Sequence, residues 1–372
     1  MGLTAQPVEH SWWRRVPGLR GRRRAGRGRS RWSAGAVALG CAVALAAGCA
    51  SADGPARATP AAPARSAGAG AVVAGSAAGA GQVGRYASPN PGSVNTLWLR
   101  TSAGLLVVDT GRSLTDARQA VAAIRRTGQP VAAILITHPH PDHVGGIGVL
   151  HQAFPTAPVY ASQATVAVMR TDPLGYYDQT RALPHSDYAA RLTLPDHVVA
   201  PGATVDVGGT QVRTAEFGAG ESSDATVYYV PATGDLFVGD LVSNGATPAL
   251  IEGHTCGWLG ELDQVQARFP QAVTLHPGHG GPGRPADLIA RQRSYLHQFR
   301  ELVRAAIAPA SPGGATVTPA EQDSIIAVIE RNHPGYPPVA TLPDLQRANI
   351  KAVAGELATT NPAAEPAACR DA

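Results

Sequence analysis

Residues 137–146 read Thr-His-Pro-His-Pro-Asp-His-Val-Gly-Gly and follow an apolar run, Val131 to Ile136, that predicts a buried strand. Three histidines and one aspartate therefore stand within six residues at the C-terminal end of a strand. Neutral imidazole and carboxylate are ligands that divalent transition metals prefer, and the prolines restrict the loop backbone. A solvated His-rich turn is the alternative. It is disfavoured because the cluster lies between a buried strand and a helix that begins with glycine.

The segments on both sides of this loop alternate between strand and helix patterns. Val94–Leu99 and Leu105–Val108 predict a hairpin, and Leu114–Arg126 has helical spacing. Further strands are predicted at 205–207, 212–215, 227–230, 236–238 and 273–275, and helices at 144–153, 163–169, 259–268, 287–307, 319–331 and 343–357. This alternation predicts an α/β layered domain.

The motif His138-x-His140-x-Asp142-His143 resembles the signature of the metallo-β-lactamase superfamily of metallohydrolases. Three further stretches resemble family motifs in the family order: residues 107–111 (Val-Val-Asp-Thr-Gly), 236–240 (Leu-Phe-Val-Gly-Asp) and 277–280 (Pro-Gly-His-Gly). The resemblance extends from about Asn95 to His279. It implies an αββα four-layer sandwich, followed in this chain by C-terminal helices, with metals at one edge of two facing sheets.

The resemblance also implies a ligand set. The first metal would be bound by His138 and His140, the second by Asp142, His143 and His279, with Asp240 bridging the two and Asp109 supporting the metal loop. The chain departs from the family pattern at Gly220-Glu221-Ser222, where relatives usually have Gly-His-Ser/Thr. We interpret Glu221 as a ligand of the first metal, because a carboxylate can ligate zinc in a His₂Glu set. The alternative is a carboxylate that does not ligate, beside a site that holds one metal.

The implied function is metal-dependent hydrolysis. Two divalent ions, most consistent with Zn and alternatively Mn or Fe, would hold a hydroxide that attacks an ester-type bond in a small molecule, and Asp142 would orient the nucleophile and take its proton. Class B β-lactamases generally lack an Asp at position 240, so thioester or lactone hydrolysis comes ahead of β-lactam hydrolysis. Two alternatives are an exported metal-binding protein with little or no catalysis, and a mononuclear iron oxygenase of the same fold.

The basic charge of the chain belongs to its leader. Residues 1–86 contain 12 Arg and two acids, a balance of +10, whereas the remaining residues contain 31 − 12 = 19 basic and 27 − 2 = 25 acidic residues, a balance of −6. The part that folds has no basic patch, which excludes nucleic acid as a partner and leaves a small-molecule substrate.

The composition predicts five segments. Residues 1–48 are typical of a signal peptide whose lipobox ends before Cys49, and residues 49–82 of a disordered Ala/Gly/Pro tether. The metallo-β-lactamase-like domain is predicted at 83–310, a C-terminal helical extension at 311–358, and a disordered tail at 359–372. We therefore expect export and attachment to the outer face of the cell membrane through lipidated Cys49, with plain secretion as the alternative.

Several residues outside the motifs are less informative. The four cysteines, at positions 41, 49, 256 and 369, have no CxxC spacing, which argues against a disulfide scaffold and favours an inert lone Cys256. Residues 170–201 contain tyrosines that either pack on the sandwich, which we favour, or grip an apolar substrate. His254 and His276 are expected to form hydrogen bonds or be exposed rather than bind metal.

Overall fold

The computed structural model describes residues 72–73, 82–307, 316–339, 344–361 and 365–370, all within one compact unit, Ala64–Ala372. The predicted signal peptide and lipobox lie outside the described residues, as does nearly all of the predicted tether. Among the helices that are described, none is long and apolar enough to cross a membrane.

The first sheet places its strands side by side in chain order, with the first four antiparallel and the last four parallel. Its strands are β1 (Val72–Val73), β2 (Val83–Ala87), β3 (Asn95–Thr101), β4 (Gly104–Val108), β5 (Val131–Leu135), β6 (Val159–Ser162) and β7 (His197–Val199). Strand β4 is buried along its whole length, as its apolar sequence requires of a strand covered on both faces.

The second sheet has the order β12-β11-β10-β9-β8, with only the β11–β12 pair parallel. Its strands are β8 (Thr204–Val207), β9 (Thr210–Phe217), β10 (Ala225–Val230), β11 (Asp235–Ser243) and β12 (Thr274–His279). The parallel pair ends at the same edge, which carries the chemistry described below.

Helices cover the outer face of each sheet. They are α1 (Leu114–Arg125), α2 (Pro141–Val144), α3 (Ile147–Ala153), α4 (Gln163–Thr171), α5 (Tyr176–Ala182), α6 (Thr255–Arg268), α7 (Pro285–Ala306), α8 (Pro319–Asn332), α9 (Leu345–Thr359) and α10 (Ala367–Arg370). One apolar cluster lies between the two sheets, a second between the first sheet and α1, α3 and α4, and a third between the second sheet and α6–α9. This layering confirms the predicted αββα sandwich with C-terminal helices.

The hairpin and the helices of the sequence analysis are present, and four helix starts are shifted by two to four residues. The helix predicted at 144–153 begins at Ile147, because α2 precedes it, and the helix predicted at 259–268 begins at Thr255. Strands β1, β2, β6 and β7 were not predicted, and β1 lies inside the segment predicted to be a disordered tether. The last two have only four and three residues, too few to show a clear alternation.

The end of the chain differs from the predicted disordered tail. Cys369 forms a disulfide with Cys256, 113 residues earlier, so the prediction of an inert lone cysteine was wrong. Glu365 is buried, and its Oε1 lies 2.7 Å from Arg300 Nη2 and 2.9 Å from Arg304 Nη2. Both contacts join residues far apart in sequence, which a local composition argument cannot detect.

Candidate metal site

The predicted ligands lie in four chain segments that the fold brings together. The loop after β5 and the short helix α2 carry the histidine cluster, the β9–β10 loop carries Glu221, and β11 and β12 carry Asp240 and His279. Their ligand atoms form two groups, each within 4.8 Å: His138, His140 and Glu221, and Asp142, His143, Asp240 and His279.

The first group is closed by the residue that departs from the family pattern. Glu221 Oε1 lies 3.1 Å from His140 Nδ1, and Oε2 lies 3.5 Å from His138 Nε2. Glu221 is only 3% exposed. A surface carboxylate is therefore excluded, and Glu221 occupies the position where a third ligand of the first group is expected.

The second group surrounds His279. Its Nε2 lies 3.0 Å from Asp240 Oδ2 and 3.3 Å from Asp142 Oδ2, while Asp240 Oδ1 lies 3.3 Å from His143 Nε2. Asp240 belongs to this group by distance, so its predicted bridging role stays a prediction. The two groups adjoin, since the ring centroids of His138 and His143 are 3.9 Å apart.

A hydrogen bond at the far nitrogen of each histidine fixes which nitrogen faces the cluster. His143 Nδ1 donates to Asp109 Oδ2 at 2.8 Å, and His279 Nδ1 donates to the carbonyl of Gly92 at 2.8 Å. His138 Nδ1 lies 3.0 Å from Thr137 Oγ1, whose own proton goes to Asp109. The remaining nitrogens are thereby held toward the acidic side chains, as in metal sites whose ligands are oriented by an outer partner.

The fourth histidine has a partner that the sequence analysis missed. His140 Nε2 donates to Glu252 Oε1 at 3.0 Å, which leaves Nδ1 toward Glu221. Glu252 lies in the loop after β11, where no motif marked it. Two tyrosines of the 170–201 segment also touch the histidine loop: Tyr177 Oη donates to the Pro139 carbonyl at 2.6 Å, and the Tyr176 ring lies 5.6 Å from that of His140.

Two glycines allow the segments to approach this closely. Gly239 has φ +54°, and a Cβ there would lie 2.7 Å from Thr137 Oγ1 and 3.2 Å from His138 Nδ1. A Cβ on Gly278 would overlap the carboxylate of Asp240. Side chains at either position would displace a candidate ligand.

The donor set passes a direct test of whether it fits metal ions. Nε2 of His138, His143 and His279 and Oδ1 of Asp240 are buried and have no hydrogen-bond partner. Buried polar atoms without partners are costly and rare in folded proteins, and cations bound in the two groups would satisfy all four. The residues therefore fit a metal centre.

Burial and neighbouring charges shift the pKa values of the residues in the cluster. Burial lowers the pKa of His138 well below its ordinary value. Burial acts in the same direction on His279, but the carboxylates of Asp240 and Asp142 outweigh it and raise its pKa to about 10. The pKa of Asp240 is held well below its ordinary range, because the cations of His279 and His143 outweigh its burial. Burial raises the pKa of the Glu221 carboxyl. A bound cation would supply the positive charge that protonated histidines otherwise provide to these carboxylates.

A cavity of about 350 Å³ adjoins the second group. Its lining includes Asp142, Gly92, Arg112 and Pro338. The Asp142 side chain is 21% exposed, against 5% or less for Asp240 and His279, so it is the member of its group that a molecule in the cavity can reach.

The remaining predicted features are placed away from the metal ligands. His254 is exposed just before α6, and His276 Nε2 donates to Asp235 Oδ1 at 2.7 Å, in keeping with the expectation that neither binds metal. Tyr188 stacks on Tyr177 and is buried, so these two tyrosines pack on the sandwich as expected.

Comparison with known proteins adds to this geometry. Residues 89–303, more than half of the chain, match the family profile described as Metallo-beta-lactamase superfamily. A hydroxyacylglutathione hydrolase of Synechococcus sp. (strain JA-3-3Ab) is 32% identical over 167 residues, covering 44% of this chain and 56% of the relative. A metallo-beta-lactamase type 2 of Bacteroides fragilis is 25% identical over 174 residues, 46% of this chain and 61% of the relative. The chain thus spans little more than half the length of these curated relatives.

Among solved structures, a beta-lactamase domain protein from Burkholderia ambifaria superposes with a TM-score of 0.53 at 22% identity. The match covers 74% of this chain and 85% of that structure, and it supports the fold.

Proposed function

Since the chain belongs to the metallo-beta-lactamase superfamily, we propose that it is a metal-dependent hydrolase of an ester-type bond in a small molecule, such as a thioester or a lactone. The observation that carries this proposal is the pair of adjoining, buried His/carboxylate groups whose inward atoms lack partners. A structural histidine cluster would satisfy those atoms within the protein.

We assign the ligands as follows. His138, His140 and Glu221 would hold one divalent ion, and Asp142, His143, Asp240 and His279 would hold a second. Zn²⁺ suits the four imidazoles, and Mn²⁺ or Fe²⁺ are the alternatives because three carboxylates suit harder ions. When bound, such ions acidify a water ligand and polarise the bond under attack.

The side chains of the protein then orient the attacking water and accept its proton. Asp142 is the partly exposed carboxylate at the cavity wall, so it can accept a hydrogen bond from an attacking water and hold its proton. The hydrogen bonds that the imidazoles donate to Asp109, the Gly92 carbonyl and Glu252 keep the rings in place during turnover.

Glu221 changes the charge of the centre. Asp142, Asp240 and Glu221 together carry −3 against the +4 of two divalent ions, whereas a histidine at position 221 would leave −2. The extra negative charge weakens the electrophilic pull of the centre on a carbonyl and makes a metal-held water less acidic. Activated esters and thioesters need less polarisation than amides, which favours them as substrates. The relative named hydroxyacylglutathione hydrolase supports the same preference.

The test combines metal analysis with a substrate panel. We expect the full chain to purify with close to two metal equivalents and to hydrolyse a thioester or lactone in preference to a β-lactam or a phosphodiester. Asp240→Ala should abolish turnover, while His254→Ala, which alters an exposed histidine outside the cluster, should leave it unchanged. Glu221→Ala should lower metal occupancy to about one equivalent.

The other outcomes separate the alternatives. Full metal loading without hydrolysis of any panel member would contradict the proposal and favour a metal-binding protein. Bound iron with oxygen consumption would favour an oxygenase. Unchanged two-metal occupancy and affinity in Glu221→Ala would remove Glu221 from the ligand set.

We also propose that the protein is exported and anchored by lipidated Cys49. The leader sequence motivates this, and the Cys256–Cys369 disulfide supports it, because disulfides persist mainly in oxidising compartments. Metabolic labelling with a lipid precursor should mark the wild type and not Cys49→Ala. An unlabelled wild type would leave secretion as the remaining route.

A further inference from the structure

A smaller cavity lies beside the loop after β11 and is bordered by the C-terminal extension. It measures about 150 Å³ and lies between the loop after β11, helix α7 and the segment after α8. It is lined by Ser243, Asn244, Gly245, Ala246, Pro248, Arg291, Gln292, Ser294, Tyr295, His333 and Tyr336. His333 and Tyr336 lie beyond residue 303, where the match to the family profile ends, so the cavity belongs to this chain rather than to the shared fold.

Two buried donors on α7 have no partner. Gln292 Oε1 accepts a hydrogen bond from the Ser243 backbone N–H at 3.1 Å, so its Nε2 carries the free N–H groups. That Nε2 is buried and unpaired, and so is Tyr295 Oη; both residues are 3% exposed. Burial raises the pKa of Tyr295, which keeps its hydroxyl protonated and able to donate.

The charge of the lining favours an acceptor with negative charge. Arg291 is exposed and reaches Asn244 Oδ1 at 3.5 Å, which places a cation at the cavity wall. None of the described residues that line the cavity is Asp or Glu. His333 donates from Nε2 to Gln298 at 3.0 Å, and burial lowers its pKa, so it adds no charge of its own.

We propose that this cavity binds a small carboxylate, with Gln292 Nε2 and Tyr295 Oη donating to its oxygens and Arg291 supplying the opposite charge. At roughly 30 Å³ for each water-sized group, the volume admits about five non-hydrogen atoms, which fits acetate or propionate. A planar carboxylate accepts two hydrogen bonds from two neutral donors, whereas a tetrahedral phosphate carries more charge and more acceptor positions than this lining serves.

The cavity wall is continuous with a candidate metal ligand. Ser243 pairs with His279 in the sheet, and the Asn244 N–H donates to the His279 carbonyl at 2.9 Å. A carboxylate is also the acid product of ester hydrolysis. Binding of this product in the cavity is therefore expected to affect the metal site through His279. That link rests on the proposed function, but binding in the cavity does not.

The test is calorimetric titration of the full chain with sodium acetate, propionate and inorganic phosphate. We expect one site for acetate that persists after a chelator removes metal, since metal ions also bind carboxylates. Tyr295→Phe should weaken acetate binding at least about 10-fold, and Gln292→Glu, which replaces a donor by a negative charge, should abolish it. The matched control Tyr160→Phe alters a tyrosine on strand β6 of the first sheet and should bind acetate as the wild type does.

Each contrary outcome is distinct. The wild type at millimolar concentration should bind acetate. If it shows no binding at acetate concentrations up to 100-fold that of the protein, the proposal is overturned. Equal acetate affinity in wild type and Tyr295→Phe, or tighter binding of phosphate than of acetate, would also overturn it. If the Gln292 variant fails to fold, a nuclear Overhauser contact between the acetate methyl group and the Tyr295 ring in the wild type decides the question.

Discussion

Removing the disulfide between Cys256 and Cys369 should destabilise the protein by several kcal/mol without changing its fold. The bond closes a loop across 113 residues of sequence. Loop-closure entropy for that length stabilises the folded state by about 5 kcal/mol relative to an uncrosslinked unfolded chain. With a urea m-value of about 3 kcal/mol/M for a domain of this size, the urea midpoint should fall by about 1.5 M.

The variant is Cys256→Ser with Cys369→Ser, measured by equilibrium urea denaturation of the full chain at fixed zinc concentration. Trp258 is buried on α6, two residues from Cys256, and its Nε1–H donates to the Leu241 carbonyl at 2.9 Å, so tryptophan fluorescence follows this region. Tris(2-carboxyethyl)phosphine should lower the midpoint of the wild type to that of the double variant and leave the double variant unchanged. In the full chain with its leader retained, Cys41→Ser controls for the loss of a cysteine and should match the wild type.

One result would refute this reasoning. If the double variant and the wild type share a midpoint and a slope, the cross-link does not restrict the unfolded chain, and the buried ion pairs of Glu365 alone hold the tail in place.

Three further perturbations have expected outcomes. Gly239→Ala should lower the free energy of unfolding by about 2 kcal/mol or more and weaken zinc binding, because the new Cβ would meet Thr137. The control Gly209→Ala, at φ +88° with open space around it, should lower the free energy of unfolding by only about 1 kcal/mol. Urea denaturation measures the stability and chelator competition measures the zinc affinity. Glu252→Ala should weaken binding of one metal equivalent about 10–100-fold in the same competition, and equal affinities would contradict the role of its bond to His140. Burial raises the pKa of Glu261 to about 8, above its ordinary value of 4.5. The free energy of unfolding should therefore fall as the pH rises from 4.5 to 8. Glu261→Gln should reduce that fall, whereas the control Asp263→Asn, at an exposed position, should not.

The sequence predicted the metal groups better than their surroundings. His138, His140, Asp142 and His143 lie within six residues, and the loop after a buried strand brings them together without help from distant contacts. Asp240 and His279 were added through the family resemblance, because each stands beside a glycine in a stretch that resembles a family motif. Those glycines are required by close packing, so the same local signal marks both the ligand and its position.

The contacts that the sequence analysis missed depend on how distant elements pack. Glu252 has no periodic or motif context, and its contact with His140 depends on how the loop after β11 folds back over the site. The pairing of Cys256 with Cys369 likewise depends on α6 and α10 meeting in space. Contacts of this kind are set by the packing of whole elements, which one sequence does not reveal.

The C-terminal extension explains why that loop folds back. Asn349 on α9 accepts from the Leu250 N–H at 2.8 Å and donates to the Pro248 carbonyl at 2.9 Å, which fixes the chain just before Glu252. The backbone of Pro338 lies against Gly92, whose carbonyl in turn accepts from His279. Two of the outer partners of the candidate metal-site histidines, Glu252 and the Gly92 carbonyl, therefore lie against or near residues beyond the match to the family profile. In this chain the extension therefore contacts the outer partners of two candidate ligands, which links it to the candidate metal site.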